Sequence, residues 1–115
     1  MGLSRQIDIT TDFNANGLVN LDISGWDNVI AQFITPAAAV TFKATNDGGD
    51  VTGLVDGNAR SATNFTVVQG VDEATGTAAT TTSTSTTYKF SLTAKYLQFS
   101  GTTAAKILVT FYKIF

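Results

Sequence analysis

The feature that most constrains this chain is a two-residue alternation of apolar and polar side chains, repeated in short segments with turns between them. In residues 39–45, Val40, Phe42 and Ala44 fall on one face, and Thr41, Lys43 and Thr45 fall on the other. Successive side chains of a β-strand point to opposite sides of a sheet, so this alternation indicates a strand with one buried face. Helical periodicity is hard to find anywhere in the chain. The pattern predicts an all-β protein.

Turn signals divide the chain into seven or eight such segments. Strand-like patterns occupy residues 5–12, 18–24, 28–35, 39–45, 65–71, 86–93, 95–100 and 105–115. Clusters of Gly, Asn, Asp and Ser lie between them, and these residues favour tight turns. Strands of this length and spacing predict a single antiparallel β-sandwich, or jelly-roll-like domain, over residues 1–115. No linker or change of composition suggests a second domain.

Composition argues against several classes of function. Charged residues make up 14% of the chain, the net charge is −2, and the Lys and Arg residues are scattered, which disfavours nucleic-acid binding. The chain has no His and no Cys, so the commonest general base and the commonest transition-metal ligands are missing. Phosphate-binding and dinucleotide-binding glycine motifs are also missing. We therefore expect a protein that is not an enzyme, with no catalytic residues and no cofactor.

Membrane insertion and secretion are not expected either. No apolar run approaches the roughly 18 residues that a membrane-spanning helix needs. The first ten residues, MGLSRQIDIT, lack the apolar segment of a signal peptide. We therefore expect no membrane partner, and synthesis in the cytoplasm of the producing cell.

The turn after residue 45 is the one candidate metal site. The sequence NDGGDVTGLVDGN supplies several carboxylate and amide oxygens, which calcium prefers. Their spacing does not match an EF-hand loop, and Asp-Gly and Gly-Gly pairs are equally what a tight turn requires. We interpret the segment as a turn, and Asp47 and Asp50 are the candidate ligands if a cation binds.

Two segments are candidates for contacts between chains. Residues 75–87, TGTAATTTSTSTT, form a Thr/Ser-rich stretch that is either a loop or extended strand edge, or an arm that orders against a neighbouring subunit. The last segment, ILVTFYKIF, is apolar on both faces, so it is either central in the sandwich or covered by another chain.

Aromatic side chains raise the alternative of a carbohydrate platform. The candidates are Trp26, Tyr88, Tyr96 and Tyr112, and this alternative needs Trp26, Tyr88 or Tyr96 exposed together on a flat face, with Asp or Asn beside them. Trp26 directly follows the Ser24-Gly25 turn, however, and a tryptophan at such a position usually caps the end of a sandwich core.

Several of these segments resemble small structural proteins of tailed bacteriophages. The similar pieces are Trp26 and Val29 at the start of a strand, the strand and turn VTFKATNDGG, the aromatic segment from Tyr88 to Phe99, and the closing segment from Gly101 to Thr110. In that family a Thr/Ser-rich stretch often lies between such pieces. The segment before Ile7 is very short, which disfavours clamping by a long N-terminal arm.

The resemblance implies a virion component with a β-sandwich fold and no catalytic residues. The function it favours is that of a capsid decoration, or cement, protein that binds the assembled head as a trimer. The expected partners are other copies of this chain and the major capsid protein. The alternatives are a carbohydrate-binding or adhesin module of a tail fibre or virion surface, and a neck or tail structural subunit. The predicted contact residues are Leu3, Arg5, Thr80, Thr82, Thr84, Tyr112, Ile114 and Phe115.

Overall fold

The structure is a computed structural model that describes residues 2–10, 17–36, 39–46, 55–56, 64–92, 94–101 and 106–114. These residues form twelve β-strands. The strands are β1 (Gly2–Asp8), β2 (Leu18–Asp22), β3 (Asn28–Ile34), β4 (Val40–Thr45), β5 (Val55–Asp56), β6 (Thr66–Val67), β7 (Gly70–Asp72), β8 (Ala78–Ala79), β9 (Thr81–Thr82), β10 (Thr86–Phe90), β11 (Tyr96–Ser100) and β12 (Lys106–Ile114). Within these stretches there is no helix with the length and hydropathy that crossing a membrane requires.

The strands make two antiparallel sheets. Sheet A has the strand order β1-β12-β3-β10-β7-β8, and sheet B has the order β5-β2-β11-β4-β6, with β9 also paired to β4. The first half of the chain pairs with the second half in reverse order, as β1 with β12, β2 with β11, β3 with β10 and β4 with β9. A long hairpin wound in this way into two sheets is a jelly roll. The predicted all-β antiparallel sandwich is confirmed.

The inward faces of the two sheets form one hydrophobic core. Alternate residues of β4 and β11 face it, which explains why the polar residues between them do not interrupt it. The fully buried aromatic side chains are Phe33, Phe42, Phe90, Phe99 and Phe111. Phe42 is central, with ring centroids 4.9 Å from Phe90 and 5.2 Å from Tyr88 in edge-on geometry. Aromatic pairs of this kind stabilise a core by about 0.5–1.5 kcal/mol beyond simple burial.

The last segment of the chain is central in sheet A. β12 lies between β1 and β3, and its inward side chains Ile107, Val109 and Phe111 are fully buried. Its outward face is less covered, because Leu108 is half-buried and Tyr112 is 38% exposed. Intrachain packing therefore explains the inward apolar residues of this segment and leaves the outward ones exposed to a varying degree.

Two strand boundaries differ from the sequence predictions. The first strand begins at Gly2 and ends at Asp8, so the residues before Ile7 belong to a strand. The predicted strand 65–71 is two strands, β6 in sheet B and β7 in sheet A. The chain changes sheets just before Gly70, where a Cβ would lie 2.7 Å from the ring of Phe90. A side chain at that position would collide with the core, and neither feature is visible in the alternation of a single segment.

The Thr/Ser-rich stretch is extended strand edge over part of its length. It contributes β8 to the edge of sheet A and β9 to sheet B, where Thr82 is buried. The Thr82 hydroxyl donates a hydrogen bond of 3.2 Å to the Thr84 carbonyl, and the Thr81 hydroxyl donates one of 2.9 Å to the Val40 carbonyl. Short strands of this kind cover the ends of longer ones with few apolar side chains of their own.

Candidate interaction surface

The β1–β12 pair brings together the predicted contact residues from the two ends of the chain. Leu3 lies opposite Lys113, Ser4 opposite Tyr112 and Arg5 opposite Phe111. Opposite residues of an antiparallel pair point to the same side, so Leu3 and Arg5 face inward, whereas Tyr112 faces outward. The backbone of Ile114 pairs with that of Gly2, and Phe115 lies outside the described residues.

The inward face of β1 is covered at one end only. Ile9, directly after the strand, is fully buried and Ile7 is half-buried. Arg5 is exposed and Leu3 is 50% exposed, although both face the same side as Ile7. The first residues of β1 therefore project beyond the part of sheet A that packs on the core. We call the inward side chains Leu3, Arg5 and Lys113 the overhang face.

The outer edge of β1 carries backbone groups that point away from β12. The Ile9 amide donates a hydrogen bond of 3.0 Å to the Ile107 carbonyl, which identifies the odd-numbered residues as the ones bonded to β12. The amides and carbonyls of Ser4 and Gln6 therefore point to the open side. Among the described residues no strand pairs with that edge. An open strand edge is a template for pairing with another chain.

A tight turn places Trp26 beside the overhang face. The Trp26 amide donates to the Ile23 carbonyl at 3.1 Å, and Gly25 has φ +83°, a value that favours glycine. The Asp27 amide then donates to the Tyr112 carbonyl at 2.8 Å, which ties the turn to β12. As a result the Trp26 ring packs on Phe111 with a centroid distance of 5.6 Å. Trp26 closes the end of the core, and its ring stays half-buried.

A cavity of about 460 Å³ opens at this end of the sandwich, and we call it the Trp26 cavity. Its lining residues are Ile23, Ser24, Gly25, Trp26, Asp27, Leu92, Ala94, Lys95 and Lys113. The floor is apolar and the rim carries two ammonium groups and one carboxylate. Sequence reasoning missed Lys95, Lys113 and Leu92 because they come from separate segments, which only the jelly-roll winding brings together.

The threonine candidates lie elsewhere. Thr80 directly follows β8, which is at the opposite edge of sheet A from β1, and Thr82 lies in β9, which pairs with β4 of sheet B. Thr80 is half-buried and Thr84 is exposed, whereas Thr82 is buried within this chain. Of the three predicted contact residues in this stretch, Thr80 and Thr84 are therefore available for contacts, on a different surface from the overhang face.

The aromatic residues considered for carbohydrate binding do not share a face. Tyr88 is buried in the core between Phe33 and Phe42. Tyr96 is also buried. Its side chain lies on the outward side of sheet B, since the next residue, Leu97, faces the core. Of the three, Trp26 alone is partly exposed. A flat platform made by these three side chains is therefore not present.

Polar groups outside the overhang face offer no clear chemistry. Within the described stretches no group of three or more Asp and Glu side chains is placed to hold a metal ion, and Asp47 and Asp50 lie outside those stretches. Asn20 and Gln98 are fully buried on the outward side of sheet B, where the Gln98 amide donates to the Asn20 carbonyl oxygen at 3.0 Å. Among the residues that the structure describes, the Asn20 Nδ2 and Gln98 Oε1 atoms have no hydrogen-bond partner. This pair is a structural feature of adjacent strands.

One comparison with known proteins gives a match. The crystal structure of the SPBc2 prophage-derived protein YomS superposes with a TM-score of 0.67 over 98% of this chain and 96% of that one, at 10% sequence identity. The two chains share a fold. No protein-family profile and no curated protein matches this sequence.

Proposed function

We propose that this chain is a structural protein of a tailed-phage virion, and specifically a decoration protein that binds and stabilises the assembled head. The observation that carries the proposal is the likeness of fold to a prophage-derived protein along nearly the full length of both chains. The resemblance of the Trp26, VTFKATNDGG and Tyr88–Phe99 segments to small phage structural proteins supports the same origin.

The surface of the chain suits dense packing on a shell. With 14% charged residues and a net charge of −2, neighbouring copies repel one another little. The open edge of β1 and the overhang face beside it provide backbone and side-chain groups for a partner. The outward face of sheet A adds Tyr112 and Val71, exposed by 38% and 41%.

Stabilisation of the head would follow from mass action. A protein that binds the mature lattice and not its precursor stabilises the lattice by RT ln(1 + [L]/Kd), about 2.7 kcal/mol per site at a hundred times Kd. Grouping of the copies as trimers around local symmetry axes would convert modest contacts into lasting attachment through multivalency. The partners in this proposal are other copies of the chain and the major capsid protein.

Sedimentation with purified particles tests the proposal. The protein is mixed with expanded heads that lack it, with unexpanded proheads, with isolated tails and with buffer, and each mixture is pelleted. We expect saturable co-sedimentation with expanded heads alone. Protein that stays in the supernatant with expanded heads rejects the decoration role, and pelleting with tails supports the neck or tail alternative instead.

Light scattering on the free protein tests the trimer. We expect a mass near three times 12.1 kDa at high concentration. A chain that remains monomeric at high concentration removes the preformed trimer, and assembly would then have to take place on the shell.

A further inference from the structure

We propose that the overhang face, the Trp26 cavity and the open edge of β1 together bind one extended, acidic and apolar segment of a partner polypeptide. The segment would add to β1 as a further strand, with its inward side chains next to Leu3 and Arg5 and two strand positions from Lys113 in the cavity lining. The inference names the kind of partner contact and rests on the proposed function only for the identity of the protein that supplies the segment.

Charge is the first reason to expect an acidic partner. The chain as a whole is acidic, with nine Asp and Glu residues against seven Lys and Arg. Three of those seven cations, Arg5, Lys95 and Lys113, nevertheless belong to the overhang face or the rim of the cavity beside it. Among the described residues of the lining, Asp27 is the one carboxylate. Local charge of the opposite sign to the chain as a whole selects a negatively charged partner.

The apolar floor of the cavity is the second reason. Trp26 and Leu92 are half-buried and pack against the core, and Leu3 is 50% exposed on the neighbouring strand. A half-buried tryptophan next to an open cavity can accept an apolar side chain, and burial of such a ring contributes strongly to binding. A ligand with carboxylates alone would leave this floor in water, so the fitting segment carries both apolar and acidic side chains on the inward face of its strand, which every second residue occupies.

The edge of β1 is the reason to expect an extended polypeptide. Ser4 and Gln6 present their amides and carbonyls to the open side with the spacing of an antiparallel ladder. A strand added there gains main-chain hydrogen bonds, and its alternate side chains lie next to Leu3 and Arg5 on the inward face. A second copy of β1 fits this position poorly, because the only charged residue on its inward face is Arg5 and the two copies would bring like charges together.

The single tryptophan of the chain makes the proposal directly measurable. A synthetic peptide of about ten residues, with valine and glutamate taking turns at every second position and threonine between them, is titrated into the intact protein while Trp26 emission is recorded. The matched probe has lysine in place of glutamate. We expect a saturable change in emission with the glutamate peptide and none with the lysine peptide. Equal binding of the two peptides, or no binding of either, overturns the proposal.

Variants separate the charge contribution from the strand contribution. R5E and K113E should each weaken binding of the glutamate peptide about tenfold. K89E makes the same charge change on the outward face of sheet A and should leave binding unchanged. Q6P removes an amide that points to the open edge, and should weaken binding about tenfold relative to Q6A. Equal affinities of R5E, K113E and K89E reject the charge contribution, and equal affinities of Q6P and Q6A reject strand addition.

Two further readouts identify other occupants and keep this proposal distinct from the function. If the free protein dimerises and Q6P makes it monomeric, a second copy occupies the edge and the proposal is overturned. The peptide titration contains no particles, so it can fail while co-sedimentation succeeds, which rejects this surface and retains the decoration role. If the peptide binds and no particle does, the acidic partner is not a shell protein.

Discussion

The inward side chains of β1 and of Ile9, directly after it, lie in one continuous stretch of chain, and the two ends of that stretch have opposite surroundings. At one end Ile9 is fully buried against the core, and at the other Leu3 is 50% exposed next to an open cavity. Both residues lie beside β12, whose inward residues are buried at Ile107 and exposed at Lys113. The pairing of β1 with β12 is regular throughout, so the difference in side-chain exposure comes from where sheet B, the opposing layer, ends. A strand can therefore contribute to the core along one half and carry a binding surface along the other.

The largest expected effect is at Phe42, in the buried core between the two sheets. Phe42→Ala removes the ring that contacts four other aromatic rings, and should lower the free energy of unfolding by about 3–5 kcal/mol. Urea unfolding followed by circular dichroism measures the loss. Tyr112→Ala is the matched control, because that aromatic residue is exposed on the outward face and should cost less than about 1 kcal/mol. Similar losses for the two variants would show that the aromatic cluster is not the centre of the core.

The comparison of Ile9 with Leu3 predicts the next effect on stability. Ile9→Ala should lower the free energy of unfolding by about 2–5 kcal/mol, because it leaves a cavity in the core. Leu3→Ala, on the same face of the same strand pair, should change it by no more than about 0.5 kcal/mol. The same urea titration measures both. A large loss for Leu3→Ala would mean that the overhang face is covered in solution, by this chain or by another copy.

The buried amide pair on sheet B offers a test by double substitution. Asn20→Leu or Gln98→Leu alone leaves one buried amide without its partner, which should lower the free energy of unfolding by about 1–3 kcal/mol. The double variant removes both polar groups and should cost less than the two single changes together. Thermal and urea unfolding of the four proteins completes the cycle. Strict additivity would show that the hydrogen bond between the two side chains contributes nothing.

The smallest effect concerns the last residue of β1. The hydroxyl and then the amide of Thr10 donate hydrogen bonds to the Asp8 carboxylate and lower its pKa, with a smaller contribution from Lys106. The pKa of Asp8 is lower in the folded state than its ordinary value of 3.8, so its charged carboxylate stabilises the folded protein at pH values above 3.8. This stabilisation is lost as the pH falls through the folded-state pKa. An NMR titration of the Asp8 carboxyl carbon measures the pKa.

Two variants rank the causes of that shift. Thr10→Ala removes the hydroxyl and keeps the amide, so it should raise the Asp8 pKa toward 3.8, and Lys106→Gln should raise it less. The reverse ranking would mean that charge, and not hydrogen bonding, sets the pKa. The effect on stability should be small because the carboxylate is exposed.

Much of the fold was predictable from local pattern. The alternation in β2, β4 and β10 identified strands close to their observed bounds, because one face of each is buried in the core. The very short strands β5, β8 and β9 were not predicted, since two residues carry no periodicity. The break between β6 and β7 was missed for a related reason: a change of sheet leaves no mark on hydrophobicity when the residues on either side are apolar.

The candidate surface was predictable only in part. Leu3 and Arg5 of the N-terminal segment and Tyr112 of the terminal strand were among the predicted contact residues, and β1 and β12 do lie side by side. Lys95, Lys113 and Leu92 were not identified, because nothing in their own segments distinguishes them from other surface residues. Thr82 was included because its stretch is polar, yet its contacts with neighbouring backbone bury it.

The sequence by itself determined which residues face inward and that they form strands, since side-chain direction follows from backbone geometry two residues at a time. Tertiary structure alone decided which strands pair, where the opposing sheet ends, and which side chains from distant segments meet around Trp26. Those properties depend on contacts between residues far apart in the chain, as between β1 and β12, and no local pattern encodes them. The overhang face exists for that reason: its residues continue the alternation of the core, and only the position of the other sheet leaves them exposed.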